Sequence, residues 1–185
     1  MIPKLGVKIQ ARGCAWQRPE RGKGGPMDPQ RIIEICEANW EAHKSDCSGF
    51  VKAVTGTLGV TTFGPTDSAD SIVDKLAAAG DWTDLSPGSG KDAKAQADAG
   101  SLVIAGLKGA DQAQPAANGH VVVVVTGPLD PTHAAYPTAY WGRLGGVGAK
   151  AETVNYAWRV ADRDRVAYFA KSLDQVEASS APPAA

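Results

Sequence analysis

The sequence predicts an α+β domain in which helices come first and a mainly antiparallel sheet follows. Between Asp28 and Gly80, apolar residues recur at helical spacing between capping residues and glycines. After Gly100 the pattern changes to short β-branched runs, "SLVIAGL" and "HVVVVVTG", bounded by glycine. Helices gathered ahead of strands, rather than alternating with them, are the mark of α+β organisation. With 185 residues, 43% of them apolar, the chain has material for one domain with a real core.

The elements follow in order. Residues 1–27, rich in Gly, Pro, Lys and Arg ("QRPERGKGGPM"), are expected to form a flexible N-terminal arm. A single domain is expected over residues 28–173, and a disordered tail, "EASSAPPAA" at its end, over 174–185. Asp28-Pro29 starts the first helix with a capping carboxylate and a proline whose missing N–H costs nothing there. Ile32, Ile33, Cys36 and Trp40 then share a face. A second helix begins near Cys47, with Phe50, Val51, Val54 and Leu58 as its buried stripe and Gly59 as its end. "DSADSIVDKLAAAG" makes a third, capped by Asp67 or Ser68 and stopped at Gly80, and "KDAKAQADAG" a short polar fourth. "TAYWGRL", "TVNYAW" and "RVAYFAKSL" are expected as further strands, the last also compatible with a helix. The loops "GADQAQPAANG" and "GPLDPTHAAYP" are turn-rich and placed to carry binding determinants.

Composition narrows the function. A formal net charge of −1 gives no electrostatic reason to expect nucleic acid or an anionic membrane as partner. No run approaches the roughly 18 apolar residues of a membrane span, and the N-terminus has no secretory apolar region. Three cysteines (Cys14, Cys36, Cys47) are an odd number without CxxC spacing, which argues against a disulfide scaffold and against structural zinc. A single Cys14–Cys36 bridge would leave Cys47 free.

Cys47 stands between Asp46 and Ser48 at a helix start, where unpaired N–H groups and the helix dipole are expected to lower a thiol pKa. His120 opens the valine run just after Gly119. A thiol at a helix start and an imidazole at a strand start, far apart in sequence, supply a nucleophile and its proton acceptor. The backbone N–H groups of Cys47 and Ser48 are then candidate oxyanion donors. A buried small side chain at Cys47 and a structural histidine are the competing readings.

"DCSGFV" resembles the nucleophile motif of the NlpC/P60-type peptidases, papain-like enzymes that cut peptidoglycan stem peptides. Taken with "LVIAGLKG", "GHVVVVVTGPL", the stretch from Tyr136 to Gly142 and "DRDR", it resembles family 1 amidase effectors of type VI secretion. The five blocks run in order from about Cys36 to Leu173. The resemblance implies a papain-like α+β fold and hydrolysis of the γ-D-glutamyl–meso-diaminopimelate amide through a thioester acyl-enzyme, without cofactor or metal. It implies Cys47 as nucleophile and His120 as base. It also implies delivery by a type VI apparatus, without a signal peptide, into the periplasm of a target bacterium, and a periplasmic immunity protein as partner. The family's C-terminal paired cysteine is missing here. Its third catalytic position falls at Trp141, whose indole donates only, so a backbone carbonyl of Ala139 or Trp141 is expected to orient the imidazole.

Asp46 and Ser48 are carried as substrate-binding candidates, with helix capping as their plainer role. His133 is read as a surface loop residue and His43 as part of a helix C-terminus. Tyr136, Tyr140 and Trp158 are read as core or groove wall, and Asp162 to Arg165 as a solvated charge cluster or helix start. The rivals are a phage or housekeeping wall hydrolase, a catalytically silent binding module of the same fold and, last, a zinc site.

Overall fold

The computed structural model describes residues 26–86 and 90–173. All but the last two residues of the expected arm, and the whole expected tail, lie outside these, as does Cys14. Four helices, α1 (Pro29–His43), α2 (Cys47–Thr57), α3 (Ala69–Ala78) and α4 (Gly90–Asp98), accompany six strands. These are β1 (Thr83–Asp84), β2 (Leu102–Leu107), β3 (His120–Val124), β4 (Thr138–Trp141), β5 (Ala149–Thr153) and β6 (Ala167–Lys171). They form one sheet in the order β1-β6-β2-β3-β4-β5, every pair antiparallel. The fold class is therefore α+β.

The helix starts follow capping chemistry. Asp28 accepts the Gln30 N–H at 3.0 Å ahead of Pro29, and Ser68 accepts the Ser71 N–H at 3.2 Å. After α2, Gly59 takes a left-handed φ of 73°, which glycine adopts without steric cost. On α1 the most buried apolar residues are Ile32, Ile35 and Cys36, whereas Ile33 and Trp40 pack at the margin of the core.

The sheet is covered on both faces. Leu102, Ile104, Val121 and Val123 meet α1, α2 and α3, while Val103, Ala105, Val122 and Val124 meet α4 and the segment around Val154–Trp158. Because successive strand residues point to opposite faces, burial of both faces requires an unbroken apolar run. That is why β2 and β3 read "LVIAGL" and "HVVVV". Full burial of Phe50, Val51 and Val54 holds α2 to the sheet, each side chain contributing about 1.5–3 kcal/mol.

One strand falls elsewhere than expected. "TVNYAW" supplies only the end of β5, and Val154–Tyr156 is a 3-10 helix. The strand lies mainly on "AKAET", whose only buried residue is Thr153. Its register against β4 shifts between Ala139 and Trp141, and Ala151 takes a φ of 48°. The shift places an extra residue on β5, and an alanine held left-handed there bears a strain of about 1–2 kcal/mol. Trp40 closes this join, its Nε1 donating to the carbonyls of Trp141 and Ala149, each at 3.1 Å.

Candidate active site

Cys47 is the first residue of α2. Asp46, in extended conformation, is its N-cap, and its Oδ1 accepts the Gly49 N–H and the Ser48 hydroxyl, both at 2.9 Å. Burial works against the Asp46 charge, but the Gly49 N–H, the Ser48 hydroxyl and the Lys52 cation outweigh it. The carboxyl is held below its usual range. Asp46 thus caps the helix with the Ser48 hydroxyl bonded to it, and neither residue is among those lining the cleft.

The Cys47 side chain is buried, with backbone N–H groups of Val121, Ser48 and Cys47 itself directed at the sulfur. Desolvation pushes the thiol pKa up, Asp46 pushes it further, and the three N–H groups only partly offset them. This corrects the sequence expectation of a lowered thiol pKa. The helix terminus supplies its N–H groups, but the cost of burying a charge exceeds their contribution.

The Val121 N–H carries the link to β3, because the preceding residue is His120. The imidazole keeps part of its surface in the cleft while Nε2 is enclosed without a hydrogen-bond partner. Trp158 packs against the ring edge-on, with centroids 5.2 Å apart and planes at 67°. Burial, aided by the charge of Arg143, lowers the imidazole pKa to about 3. At neutral pH the resting pair is therefore thiol and uncharged imidazole.

Cys47 and His120 share a cleft of about 480 Å³. Its walls include Asn118 and Gly119 before β3, Arg143 and Leu144 after β4, and Tyr156 to Arg159. The loop from Gln112 to Gly119 is tied down by Asp162, which accepts the Ala113 N–H at 2.6 Å, and by Arg159, which donates to Gln114 at 2.8 Å. Asp162 is buried, so this member of "DRDR" is a loop anchor rather than a solvated charge.

Neither carbonyl expected to orient His120 is hydrogen-bonded to its Nε2. That of Trp141 accepts from Trp40, and Ala139 is paired within the sheet, while Nε2 has no partner. His133 bonds Asp130 at 2.8 Å in the exposed 130s loop, and His43 closes α1. Among the described residues no group of three or more His, Cys, Asp or Glu is arranged to hold a metal. Cys36 and Cys47 are free thiols. Sequence reasoning passed over Arg143 and Asn118. A lone arginine after a glycine carries no motif, and only the return of the chain past Gly142 brings it to the cleft. Gly142 makes that return possible, since a Cβ there would collide with the carbonyls of His43 and Asp46.

No family model matches the chain. Against curated proteins it is 36% identical over 154 residues to "Peptidoglycan amidase Tse1" of Pseudomonas aeruginosa, covering 78% of this chain and 91% of that protein. At this identity over nearly the whole of the relative, and with the five blocks read from the sequence, the chain belongs to the Tse1 family of peptidoglycan amidases.

Proposed function

We propose that this protein hydrolyses peptidoglycan stem peptides at the γ-D-glutamyl–meso-diaminopimelate amide, with Cys47 as nucleophile and His120 as base. The observation that carries the reading is the convergence of these two residues, at the starts of α2 and β3, on one cleft. A papain-like arrangement accords with this, the cysteine helix lying against the strand that bears the histidine.

The uncharged resting pair sets the order of proton movements. As the Cys47 sulfur attacks the scissile carbonyl, its proton passes to the imidazole nitrogen facing the cleft. In this reading Nδ1, the nitrogen that is not enclosed, accepts that proton, and Nε2 carries the other. The oxyanion lies against the N–H groups of Cys47 and Ser48, which the first turn of a helix leaves without intrahelical acceptors. Collapse of the intermediate returns the proton to the departing amine and leaves a thioester. Water, deprotonated by His120, then releases the glutamyl carboxylate and regenerates the thiol. Packing against Trp158, in place of a hydrogen-bonded third group, positions the imidazole.

The family membership supports a biological setting as well. Delivery by a type VI apparatus places the enzyme in the periplasm of a target bacterium, and an immunity protein protects the producer by covering the cleft. Incubation of Gram-negative sacculi with the protein, followed by mass spectrometry of the fragments, tests the reaction. The expected products carry a new glutamyl α,γ-dicarboxylate and a new diaminopimelate amine. Intact stems after long incubation, with Cys47 reduced, would overturn it. Forced periplasmic export should be toxic for the parent and harmless for Cys47→Ala.

A further inference from the structure

We propose that Arg143 is a specificity-determining residue that binds the free α-carboxylate of the γ-linked glutamyl residue beside the scissile bond. The inference rests on the amidase reading above and names what that cleft selects.

Arg143 is fixed at both ends. Its backbone N–H donates to the Lys44 carbonyl at 3.0 Å, and its guanidinium Nη2 donates to the carbonyls of Tyr156 and Ala157 at 3.0 and 3.2 Å. These acceptors are neutral. Among the described residues no carboxylate pairs with the guanidinium, and its side-chain hydrogen bonds are the two made by Nη2. Asp162, the carboxylate among the cleft residues, is buried and engaged by the Ala113 N–H. The arginine lines the cleft of Cys47 and His120 and also an adjoining hollow of about 330 Å³, so it stands where the two meet. It lines the same cleft as His120, and its charge adds to burial in lowering the imidazole pKa.

An exposed arginine whose fork is held by neutral carbonyls, with donors to spare, is suited to take a carboxylate in two parallel hydrogen bonds. A γ-glutamyl amide supplies such a group. Linkage through the side chain leaves the α-carboxylate free on the acyl side of the scissile bond, whereas an ordinary α-linked peptide has none at that place. Docking the carboxylate also offsets the positive charge that weakens His120 as a base. The residue therefore favours the γ-linked acid in binding and in the proton transfer that follows.

The test uses two muropeptides that differ only in D-glutamate or D-isoglutamine, the latter having an α-carboxamide. The parent should show kcat/KM about 10- to 100-fold higher on the carboxylate. Arg143→Gln should bring the ratio close to one, and Arg143→Lys should leave an intermediate preference. Equal rates for the parent on both peptides, or an undiminished preference in Arg143→Gln, would overturn the inference while leaving the amidase reading intact. A parent that cleaves neither peptide defeats the amidase reading and this inference with it. Should Arg143→Gln melt early, binding of the two peptides to Cys47→Ala, with and without Arg143→Lys, gives the same discrimination without turnover. Indifference to the carboxyl group there also overturns it.

Discussion

The two walls of the cleft are built differently. On one, Cys47 and His120 occupy the first residues of α2 and β3, elements held by fully buried apolar side chains. On the other, Arg143, Tyr156 to Arg159 and the Gln112–Gly119 loop lie in turns and 3-10 helices. These are held by side chains bonding backbone or amide groups: Arg143 to Tyr156 and Ala157, Asp162 to Ala113, Arg159 to Gln114. The proposed nucleophile and its base require fixed geometry, which packed helix and strand supply. Recognition of a substrate tolerates adjustment, which loops supply. The contrast teaches that damage to the first wall should abolish turnover, whereas damage to the second should change affinity and selectivity.

The largest effect expected is on the first wall. Cys47→Ala and His120→Ala should each lower stem-peptide cleavage at least ~1,000-fold, with melting temperatures near that of the parent. Retention of a tenth of the activity in either variant would break the contrast. Gly142→Ala strikes where the walls join, because the new methyl group meets the carbonyls of His43 and Asp46. A destabilisation of about 2–4 kcal/mol is expected in urea titrations. Asp162→Ala removes the acceptor of the Ala113 N–H and should cost about 1–3 kcal/mol. Its kinetic signature should be a raised KM with kcat less affected, so a fall confined to kcat would contradict the assignment of that wall to binding. Asp46→Ala removes the α2 cap and should cost about 1 kcal/mol.

The first wall also has a pH dependence. In the folded protein the His120 pKa is pushed down to about 3, while in the unfolded chain it lies near the ordinary imidazole value of 6.5. Between these values the unfolded state binds the proton and the folded state does not. Stability should therefore fall as pH drops from about 6.5 towards 3, and the native advantage of His120 is fully retained only above that window. His120→Gln should lose less stability than the parent between pH 6 and pH 4, measured by urea midpoints. Parallel losses would mean that the imidazole is no more desolvated folded than unfolded. The acid limb of kcat/KM should likewise lie below the ordinary imidazole range.

Much of the first wall was legible because its signals are local. Asp46 before Cys47 marks a helix start, and His120 after Gly119 opens an apolar run whose pattern needs only neighbouring residues to read. The second wall was less legible. "TVNYAW" has strand composition yet forms a 3-10 helix, because the extra residue of β5 and the left-handed Ala151 shift the pairing onto a more polar segment. "DRDR" looks like surface charge until Asp162 is seen buried beneath the 112–119 loop. Trp158, expected as core or groove wall, serves as both, lying in the core of one sheet face and beside His120.

Amino-acid order by itself determined the helix caps, the apolar runs that must be buried, and the family likeness of the cysteine and histidine blocks. Those depend on short-range backbone preference and on side-chain chemistry fixed by residue type. The charge state of the Cys47–His120 pair and the presence of Arg143 beside it were decided only by tertiary structure. Desolvation and Coulomb interaction depend on distances between segments remote in sequence, and those distances exist only once the sheet has formed and Gly142 has let the chain pass beneath the turn between α1 and α2.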